Sequence, residues 1–337
     1  MWLAAPRRAT NPRTRAPTVR LVGAAVLLLM MGLGSCGRRR HGVRRVVIGV
    51  AALRISLPVF AALDRGHFVR RGLDVDVRRY PTAQPMVDDV VAGRIDAAGF
   101  AAYPITAIAT GDVGRNARVV ASLLEDREHR LSYVLGRRGT ALRFPRDAAG
   151  RSVGILPTIA YRRWLDAILR AAGVDVARVT VVPVQPPMQT QTLAEGGVDM
   201  LFTNDPMATA MLARGVAEII DDGPPCAARL GDPFAFGSFV ISGRFADARR
   251  ADAAAVVHAV DDGIDFVRTH EADARIAMAR HLRPDERDFV QRYPQSRYLR
   301  SDETPSDHWA RAEGVLRTMG MAGVLGAVTQ WSGPRAQ

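Results

Sequence analysis

Residues 85–106 read PMVDDVVAGRIDAAGFAAYPIT, and this stretch decides the fold. Apolar residues recur at the three-to-four spacing of a helix face from Met86 to Val91. Gly93 follows where a helix commonly ends in left-handed backbone. Residues 95–100 are small and apolar and predict a short buried strand. The next four residues are expected to form the turn into a second helix.

The same pattern returns later in the chain, where residues 187–209 read PMQTQTLAEGGVDMLFTNDPMAT. A repeat of this length exceeds a solenoid unit and predicts two α/β lobes of similar construction. Two facing lobes form a cleft, which is a preferred position for a ligand. The matching pairs are Ile95-Asp96 with Val198-Asp199, Tyr103-Pro104 with Asp205-Pro206, and Gly49 with Gly154.

Composition indicates an ordinary folded protein of about two domains. The chain has 337 residues, of which 48% are hydrophobic and 24% are charged. Its formal net charge is +12, but five arginines lie in residues 1–20, so +7 remains without them. The sequence shows no stripe of basic and aromatic residues of the kind that binds RNA. We therefore predict a basic solvated surface and no nucleic-acid partner.

The N-terminus has the composition of an export signal. Arginines are frequent up to residue 20, and residues 21–33 (LVGAAVLLLMMGL) are apolar but too short for an ordinary membrane span. The following Leu33-Gly34-Ser35-Cys36 resembles the bacterial lipobox, in which the cysteine is lipidated and becomes the mature N-terminus. The resemblance implies a signal peptide over 1–35 and a lipidated Cys36. A plain secretory peptide with a chance cysteine is the alternative.

Lipidation of Cys36 has two consequences. Residues 36–45 then form a basic tether, and the protein is held on the outer face of the cytoplasmic membrane. The chain has two cysteines, so Cys226 lacks a partner and no disulfide is predicted.

After the tether, apolar strands alternate with helical patterns, which predicts parallel sheets with helices on both faces. Residues 131–137 (LSYVLGR) and 234–242 (FAFGSFVIS) are expected to be extended connectors between the lobes. The predicted first lobe therefore comprises residues 46–130 and 240–337, and the predicted second lobe comprises 131–239. The C-terminal helices follow the second connector and are assigned to the first lobe.

Several segments in a fixed order resemble the periplasmic-binding-protein type II solute receptors, in particular the NMT1/THI5-like group. That group serves importers of nitrate, sulfonate, bicarbonate and thiamine precursors. The resemblance covers about residues 45–325 and is carried by ALDRGHF (62–68), RGLDV (71–75), AGRIDA (92–97), DAAGRSVG (147–154) and GVD (197–199). It implies two doubly wound lobes joined by two hinge strands, closure on a ligand, and delivery to an ABC-type permease with its ATPase. We also expect a monomer without cofactor or metal.

Open α/β sheets bind ligands beyond the carboxyl ends of their strands. Four loops in such positions supply the candidate ligand-binding residues Arg54, Ser56, Phe100, Tyr103, Thr158, Asn204 and Asp205.

Each candidate has a structural alternative. Ser56 and Thr158 suit helix caps, Phe100 suits the core, and Arg54 suits a solvated surface. Asp205 has no acidic counterpart in the first repeat, so it is the candidate for specificity. A buried carboxylate there disfavours an inorganic anion and favours a ligand with an N–H donor.

Two other functions are compatible with this fold. One is an enzyme of thiamine-pyrimidine or menaquinone-type biosynthesis, against which the lipobox argues because such metabolites are made inside the cell. The other is an extracytoplasmic sensor, which needs a signalling segment. The seven histidines have no metal-ligand spacing, and the sequence has no P-loop or G-x-S-x-G motif. No catalytic residue or metal site is predicted.

Overall fold

The computed structural model describes residues 44–110, 117–305, 307–321, 330–331 and 333. The predicted signal peptide, Cys36 and the first part of the tether lie outside the described residues. No helix in the described part of the chain is both long and apolar enough to span a bilayer.

The described strands are β1 (Arg44–Ala51), β2 (Leu73–Tyr80), β3 (Ala97–Ala102), β4 (Ala117–Glu125), β5 (Ser132–Arg137), β6 (Ser152–Ile155), β7 (Thr180–Pro183), β8 (Met200–Asn204), β9 (Ala217–Ile219), β10 (Phe234–Ser242) and β11 (Arg297–Leu299). The described α-helices are α1 (Leu57–Asp64), α2 (His67–Arg70), α3 (Ala83–Val91), α4 (Tyr103–Thr110), α5 (Ile159–Ala171), α6 (Gln189–Ala194), α7 (Met207–Ala213), α8 (Pro225–Leu230), α9 (Gly243–Ala248), α10 (Arg250–Thr269), α11 (Glu271–Ala279), α12 (Pro284–Arg287) and α13 (His308–Leu316). Short 3-10 turns cover Arg54–Ser56, Val176–Arg178, Pro186–Met188 and Val290–Arg292, and a π-helical turn covers Arg317–Met321.

The strands form two sheets of related order. The first runs β11-β4-β10-β3-β1-β2 and the second runs β7-β6-β8-β5-β9. In each sheet a central strand, β1 or β6, has a parallel neighbour on both sides. One antiparallel strand, β10 or β5, follows next. We call the first sheet with its helices the first lobe and the second sheet with its helices the second lobe. The predicted fold of two similar doubly wound lobes is confirmed.

Burial explains the strand patterns. β3, β8 and β10 are buried along their whole length, because helices or neighbouring elements cover both faces of a central strand. β2 lies at a sheet edge and alternates between covered and exposed residues. The predicted helix stop at Gly93 has φ of +70°, and Gly196 has φ of +77° at the equivalent point of the second repeat.

The two predicted connectors are strands inside the sheets. Each is an almost continuously buried run that satisfies its backbone by pairing with a strand on both sides. β5 belongs to the second sheet and β10 belongs to the first. The chain crosses between the sheets at residues 126–131 and 220–233. The predicted lobe boundary at 239/240 falls within β10, whose pairing with β4 begins at Phe234.

Two other boundaries differ from the sequence prediction. Arg44 and Arg45, predicted as tether, begin β1, because their side chains pair with Asp252 at 2.5 Å and Asp76 at 2.9 Å. The predicted turn at 101–104 is absent, and α4 begins directly after β3. The proline at the second position of α4 fits there, because a first-turn residue needs no N–H group.

The C-terminal helices return to the first lobe. α10 crosses α1 so closely that a Cβ on Gly263 would lie 2.3 Å from the carbonyl oxygen of Pro58. Arg280, just after α11, forms an ion pair with Asp64 at the end of α1. α10 and α11 therefore pack against α1 of the first lobe.

Candidate functional site

A small cavity lies between the lobes, beyond the carboxyl ends of β1, β2, β3, β6 and β8. Its volume is about 20 Å³, which is room for one water molecule. The first lobe contributes Leu53, Ile55, Thr82, Ala83, Ala102, Ile105 and Phe236, and the second contributes Leu156, Thr158, Tyr161 and Asn204. Because both lobes supply the lining, any molecule held here touches both lobes.

Three helices begin at this cavity, because each follows a strand that ends there. Thr82 precedes α3, Ala102 precedes α4, and Thr158 precedes α5. The Thr158 hydroxyl accepts a hydrogen bond from the backbone N–H of Tyr161 at 3.3 Å. Thr82 makes no such cap to α3. The first turn of α3, whose positive dipole end lies at the lining, therefore has no side-chain cap from Thr82.

Two buried polar atoms in the lining have no hydrogen-bond partner among the described residues. They are the hydroxyl of Tyr161 and Oδ1 of Asn204. Burial raises the pKa of Tyr161 well above its ordinary value, so the phenol remains protonated. An unpaired buried polar group costs about 1–3 kcal/mol. A bound polar molecule that pairs with these atoms would recover part of that cost.

Arg54 and Asp205 form a buried ion pair across the two lobes. Arg54 Nε lies 3.1 Å from Asp205 Oδ2, and the side chains are 2% and 0% exposed. The guanidinium also donates to the carbonyls of Pro294 and Arg130, the latter in the first crossing segment. Asp205 Oδ1 accepts from the N–H and hydroxyl of Thr209 at 3.0 and 2.6 Å. Both charged side chains are therefore engaged by protein atoms.

The ion pair keeps Arg54 charged despite its burial. Burial alone would lower the pKa of Arg54, but the Asp205 carboxylate together with the neighbouring Tyr133, Tyr298 and Tyr293 outweighs that effect, and the pKa is raised above its ordinary value. Neither side chain lines the cavity, although Leu53 and Ile55 on both sides of Arg54 do. The pair joins the lobes beside the cavity.

The two crossing segments are joined by one buried carboxylate. Glu125, the last residue of β4, accepts from the N–H groups of Leu131 at 2.9 Å and Ser132 at 2.5 Å. Its second oxygen accepts from the N–H of Ala227 in the other crossing segment at 3.0 Å. Burial raises the pKa of Glu125 even though these hydrogen bonds oppose the effect. This single carboxylate therefore ties the two crossing segments together.

The structure separates the seven predicted residues into three groups. Thr158 and Asn204 line the cavity. Arg54, Ser56 and Asp205 are buried beside it.

Ser56 does not cap α1, and its hydroxyl has no partner among the described residues. Thr158 caps α5 and also lines the cavity, so it has both the structural role and the position at the candidate site.

Phe100 and Tyr103 lie in the first lobe, away from the cavity. Phe100 packs in the core against Tyr298, with ring centroids 5.1 Å apart. Tyr103 stacks on Trp309 at 5.2 Å and lines a separate pocket of about 320 Å³ beside α13. Large aromatic side chains at these strand ends fill the lobe interior, which the strand-end rule alone does not distinguish from a ligand site.

Sequence reasoning missed most of the lining. Leu156 directly follows β6 and Thr82 is the second residue after β2, so the strand-end rule applied to every strand would have found them. Tyr161 lies on the buried, largely apolar side of α5, and only its unpaired hydroxyl marks it as different. Phe236 lies within β10, and no sequence signal separates it from the core.

Within the described residues, no group of three or more His, Cys, Asp and Glu side chains is placed to hold a metal ion.

Comparison with known proteins assigns the family. The model of the NMT1-like family matches residues 40–282. The chain belongs to the NMT1-like family. No curated protein sequence matches this NMT1-like protein.

Solved structures share its fold at low sequence identity. The periplasmic aliphatic sulphonate binding protein SsuA from Escherichia coli has a TM-score of 0.67 and 14% identity, over 87% of this chain and 96% of that one. The periplasmic nitrate-binding protein NrtA from Synechocystis PCC 6803 has a TM-score of 0.63 and 15% identity, over 85% and 83%. A DszB mutant in complex with biphenyl-2-sulfinic acid has a TM-score of 0.60 and 16% identity, over 87% and 97%. Fold, but not ligand, follows from these likenesses.

Proposed function

We propose that this NMT1-like protein is an extracytoplasmic solute receptor of an ABC-type importer. The observation that carries the proposal is the cavity lined by both lobes, in which Tyr161 and Asn204 hold unpaired buried polar atoms. A molecule that bridges such a cavity stabilises the closed arrangement of the lobes, and the permease recognises that arrangement. SsuA and NrtA, which are named as periplasmic binding proteins, share this fold.

Ligand entry requires the lobes to part. The cavity of about 20 Å³ is far below the roughly 300 Å³ at which small-molecule pockets begin. The crossing segments 126–131 and 220–233 are the hinge in this proposal, because the chain passes between the sheets there. Opening separates Arg54 from Asp205, and closure around a ligand leaves a cavity wider than the present one.

The same proposal places the receptor on the outer face of the cytoplasmic membrane. It includes a signal peptide over 1–35, a lipidated Cys36, and a monomer that acts with a permease and its ATPase. Cys36→Ser should release the protein from the membrane fraction of its host, because the lipid chains supply the attachment. Retention of the variant in membranes, measured by fractionation and immunoblotting, would remove the lipid anchor from the proposal.

An enzyme on this fold is the second candidate, and the likeness to DszB favours it. The described residues that line the cavity include no acid–base pair. Cys226 is fully buried in α8, and burial raises the pKa of its thiol, so it is not an activated thiolate. These observations favour a receptor.

The deciding experiment is a thermal-shift screen of the purified protein. The panel holds nitrate, bicarbonate, alkyl and aryl sulfonates, pyrimidines, flavins and amino acids. A ligand at 100 times its dissociation constant stabilises the folded form by about 2.7 kcal/mol, which raises the melting temperature by several degrees. Chromatography of the incubated ligand then separates the two candidates. Recovery of the unchanged compound supports a receptor, whereas conversion to a product supports an enzyme.

A further inference from the structure

The lining of the cavity carries no charged side chain among its described residues. Arg54 lies in the chain between two lining residues, Leu53 and Ile55, and its positive charge is paired with the negative charge of Asp205. An anion would attract Arg54 only by drawing it away from Asp205. That movement would leave a buried carboxylate without its counter-charge, which costs several kcal/mol.

The lining offers an unpaired acceptor. Oδ1 of Asn204 is buried and has no donor among the described residues. Nitrate and sulfonate present only acceptor oxygens, so neither anion can donate a hydrogen bond to this oxygen. A ligand N–H group would instead pair with it and remove the cost of the unsatisfied acceptor.

The lining also offers donors. The Tyr161 hydroxyl has no partner among the described residues, and its burial keeps it protonated. The start of α3, where Thr82 makes no side-chain cap, places the positive end of the helix dipole at the same cavity. A carbonyl-type oxygen accepts from such donors without bringing a full charge into the site.

The remaining walls are apolar. Leu53, Ile55, Ile105, Leu156 and Phe236 surround the polar groups from both lobes. A flat or compact apolar body buries well against such side chains, while the few polar groups set its orientation.

We infer that this site takes a small uncharged molecule in which an N–H donor adjoins a carbonyl-type acceptor, as in an amide or a lactam ring. The inference rests on the proposed receptor function and identifies its ligand class. Asn204 Oδ1 receives the ligand N–H, and the Tyr161 hydroxyl and the start of α3 donate to the ligand oxygen. Inorganic anions and sulfonates are disfavoured.

Matched pairs of probes test the inference by isothermal titration calorimetry at neutral pH. The pairs are benzamide with benzoate, nicotinamide with nicotinate, and benzenesulfonamide with benzenesulfonate. Each pair keeps the ring and exchanges a neutral N–H-bearing group for an anion. We expect at least one neutral member to bind, at concentrations up to about 10 mM, and at least tenfold more tightly than its anion, a difference of about 1.4 kcal/mol.

A pair of variants assigns the binding to the cavity. Asn204→Leu removes the acceptor at similar volume and should weaken the neutral probe at least tenfold. Gln191→Leu makes the same amide-to-leucine change on an exposed face of α6 in the same lobe and should leave binding unchanged. Equal affinity of wild type and Asn204→Leu would overturn the inference.

The other outcomes separate the ligand class from the receptor function. Tighter binding of an anion than of its neutral partner overturns the ligand class and leaves the receptor standing. Failure of every neutral probe also overturns the class as stated. The receptor function then depends on the wider thermal-shift panel, in which a stabilising compound recovered unchanged would retain it.

Discussion

The two lobes share one hydrogen bond made by a repeated aspartate and differ in the contacts made at another repeated position. Asp96 in the first lobe accepts a hydrogen bond from the N–H of Val47 at 2.8 Å. Asp199 in the second lobe accepts from the N–H of Ser152, also at 2.8 Å. Each carboxylate thus ties the start of one strand to the central strand beside it. A residue that is repeated in both lobes supports the shared architecture.

The position that differs between the repeats has different surroundings in the two lobes. Tyr103 packs on Trp309 inside the first lobe. Asp205, its counterpart in the second lobe, reaches across to Arg54. The difference indicates that the unmatched position, rather than the repeated one, carries the contact between lobes.

The largest expected effect follows from breaking that contact. Asp205→Ala should lower the free energy of unfolding by about 3–5 kcal/mol, because it leaves the Arg54 guanidinium buried without its partner. Denaturant titration measures this change. The exposed pair of Arg45 and Asp76 supplies the control, and Asp76→Ala should cost less than about 1 kcal/mol.

Combining Asp205→Leu with Arg54→Met removes both charges at once. The double variant should be less destabilised than the sum of the single variants by about 2 kcal/mol. Strict additivity would show that the two side chains do not interact. The contact of Asp205 with Arg54 would then contribute nothing to stability.

The contribution of the first crossing segment, residues 126–131, to the free energy of unfolding should depend on pH in the acid range. Although burial alone would raise it, hydrogen bonds from Arg297 and His129 hold the pKa of Asp126 at about 2. Because this value lies below the ordinary pKa near 3.9, the stabilisation of roughly 2 kcal/mol is present above pH 4 and is lost as pH falls towards 2. Asp126→Asn should therefore lose less free energy of unfolding than the wild type as the pH falls from about 4 to 2.

The second crossing segment provides the comparison for this acid effect. Asp222 is 65% exposed and pairs with Arg229. Asp222→Asn should lose the same free energy of unfolding at low pH as the wild type. Unfolding at a series of pH values measures both variants. If wild type and Asp126→Asn lose the same free energy of unfolding in acid, Asp126 is not the cause of that loss.

A smaller effect tests the matched glycines of the central strands. A Cβ on Gly49 would lie 2.7 Å from Ile95, and one on Gly154 would lie 2.9 Å from Leu201. Each alanine substitution should cost about 1–2 kcal/mol, with Gly49→Ala the larger because three atoms lie within 3.0 Å of its Cβ position. Gly314 in α13 has open space, so Gly314→Ala should be neutral or stabilising. A neutral result for both strand glycines would remove close packing as the reason for their repeat.

The smallest effect concerns the repeated aspartates. Asp96→Ala and Asp199→Ala should each cost about 1 kcal/mol, because each loses a hydrogen bond from a backbone N–H group. The double variant should show the sum, since the sites lie in different lobes. Strongly unequal or coupled effects in thermal unfolding would show that the two lobes do not use this device equivalently.

Much of the fold was predictable because it depends on local patterns. Helical spacing before Gly93, the apolar run of β3, and the recurrence of both around Gly196 predicted two similar lobes. The connectors were predicted as extended links between the lobes but are strands within the sheets, because an apolar run does not reveal which sheet it joins. That choice depends on pairing between residues far apart in the chain, such as Phe234 with Glu125.

The candidate site was predictable only in part. The strand-end rule led to Thr158 and Asn204, which line the cavity, and to Arg54 and Asp205, which lie beside it. It also led to Phe100, which fills the core. Residue type and loop position alone do not distinguish these outcomes, because both an aromatic and a polar side chain follow buried strands.

The sequence by itself determined the two α/β lobes, their repeat and the helix stops, because periodicity and glycine conformation act over a few neighbouring residues. Only the tertiary structure decided that Arg54 and Asp205 neutralise each other and that Tyr161 and Asn204 retain unpaired atoms. The physical reason is that charge compensation and desolvation depend on which side chains meet across the cleft. Those meetings are set when the two lobes pack together, and no local pattern in the chain encodes them.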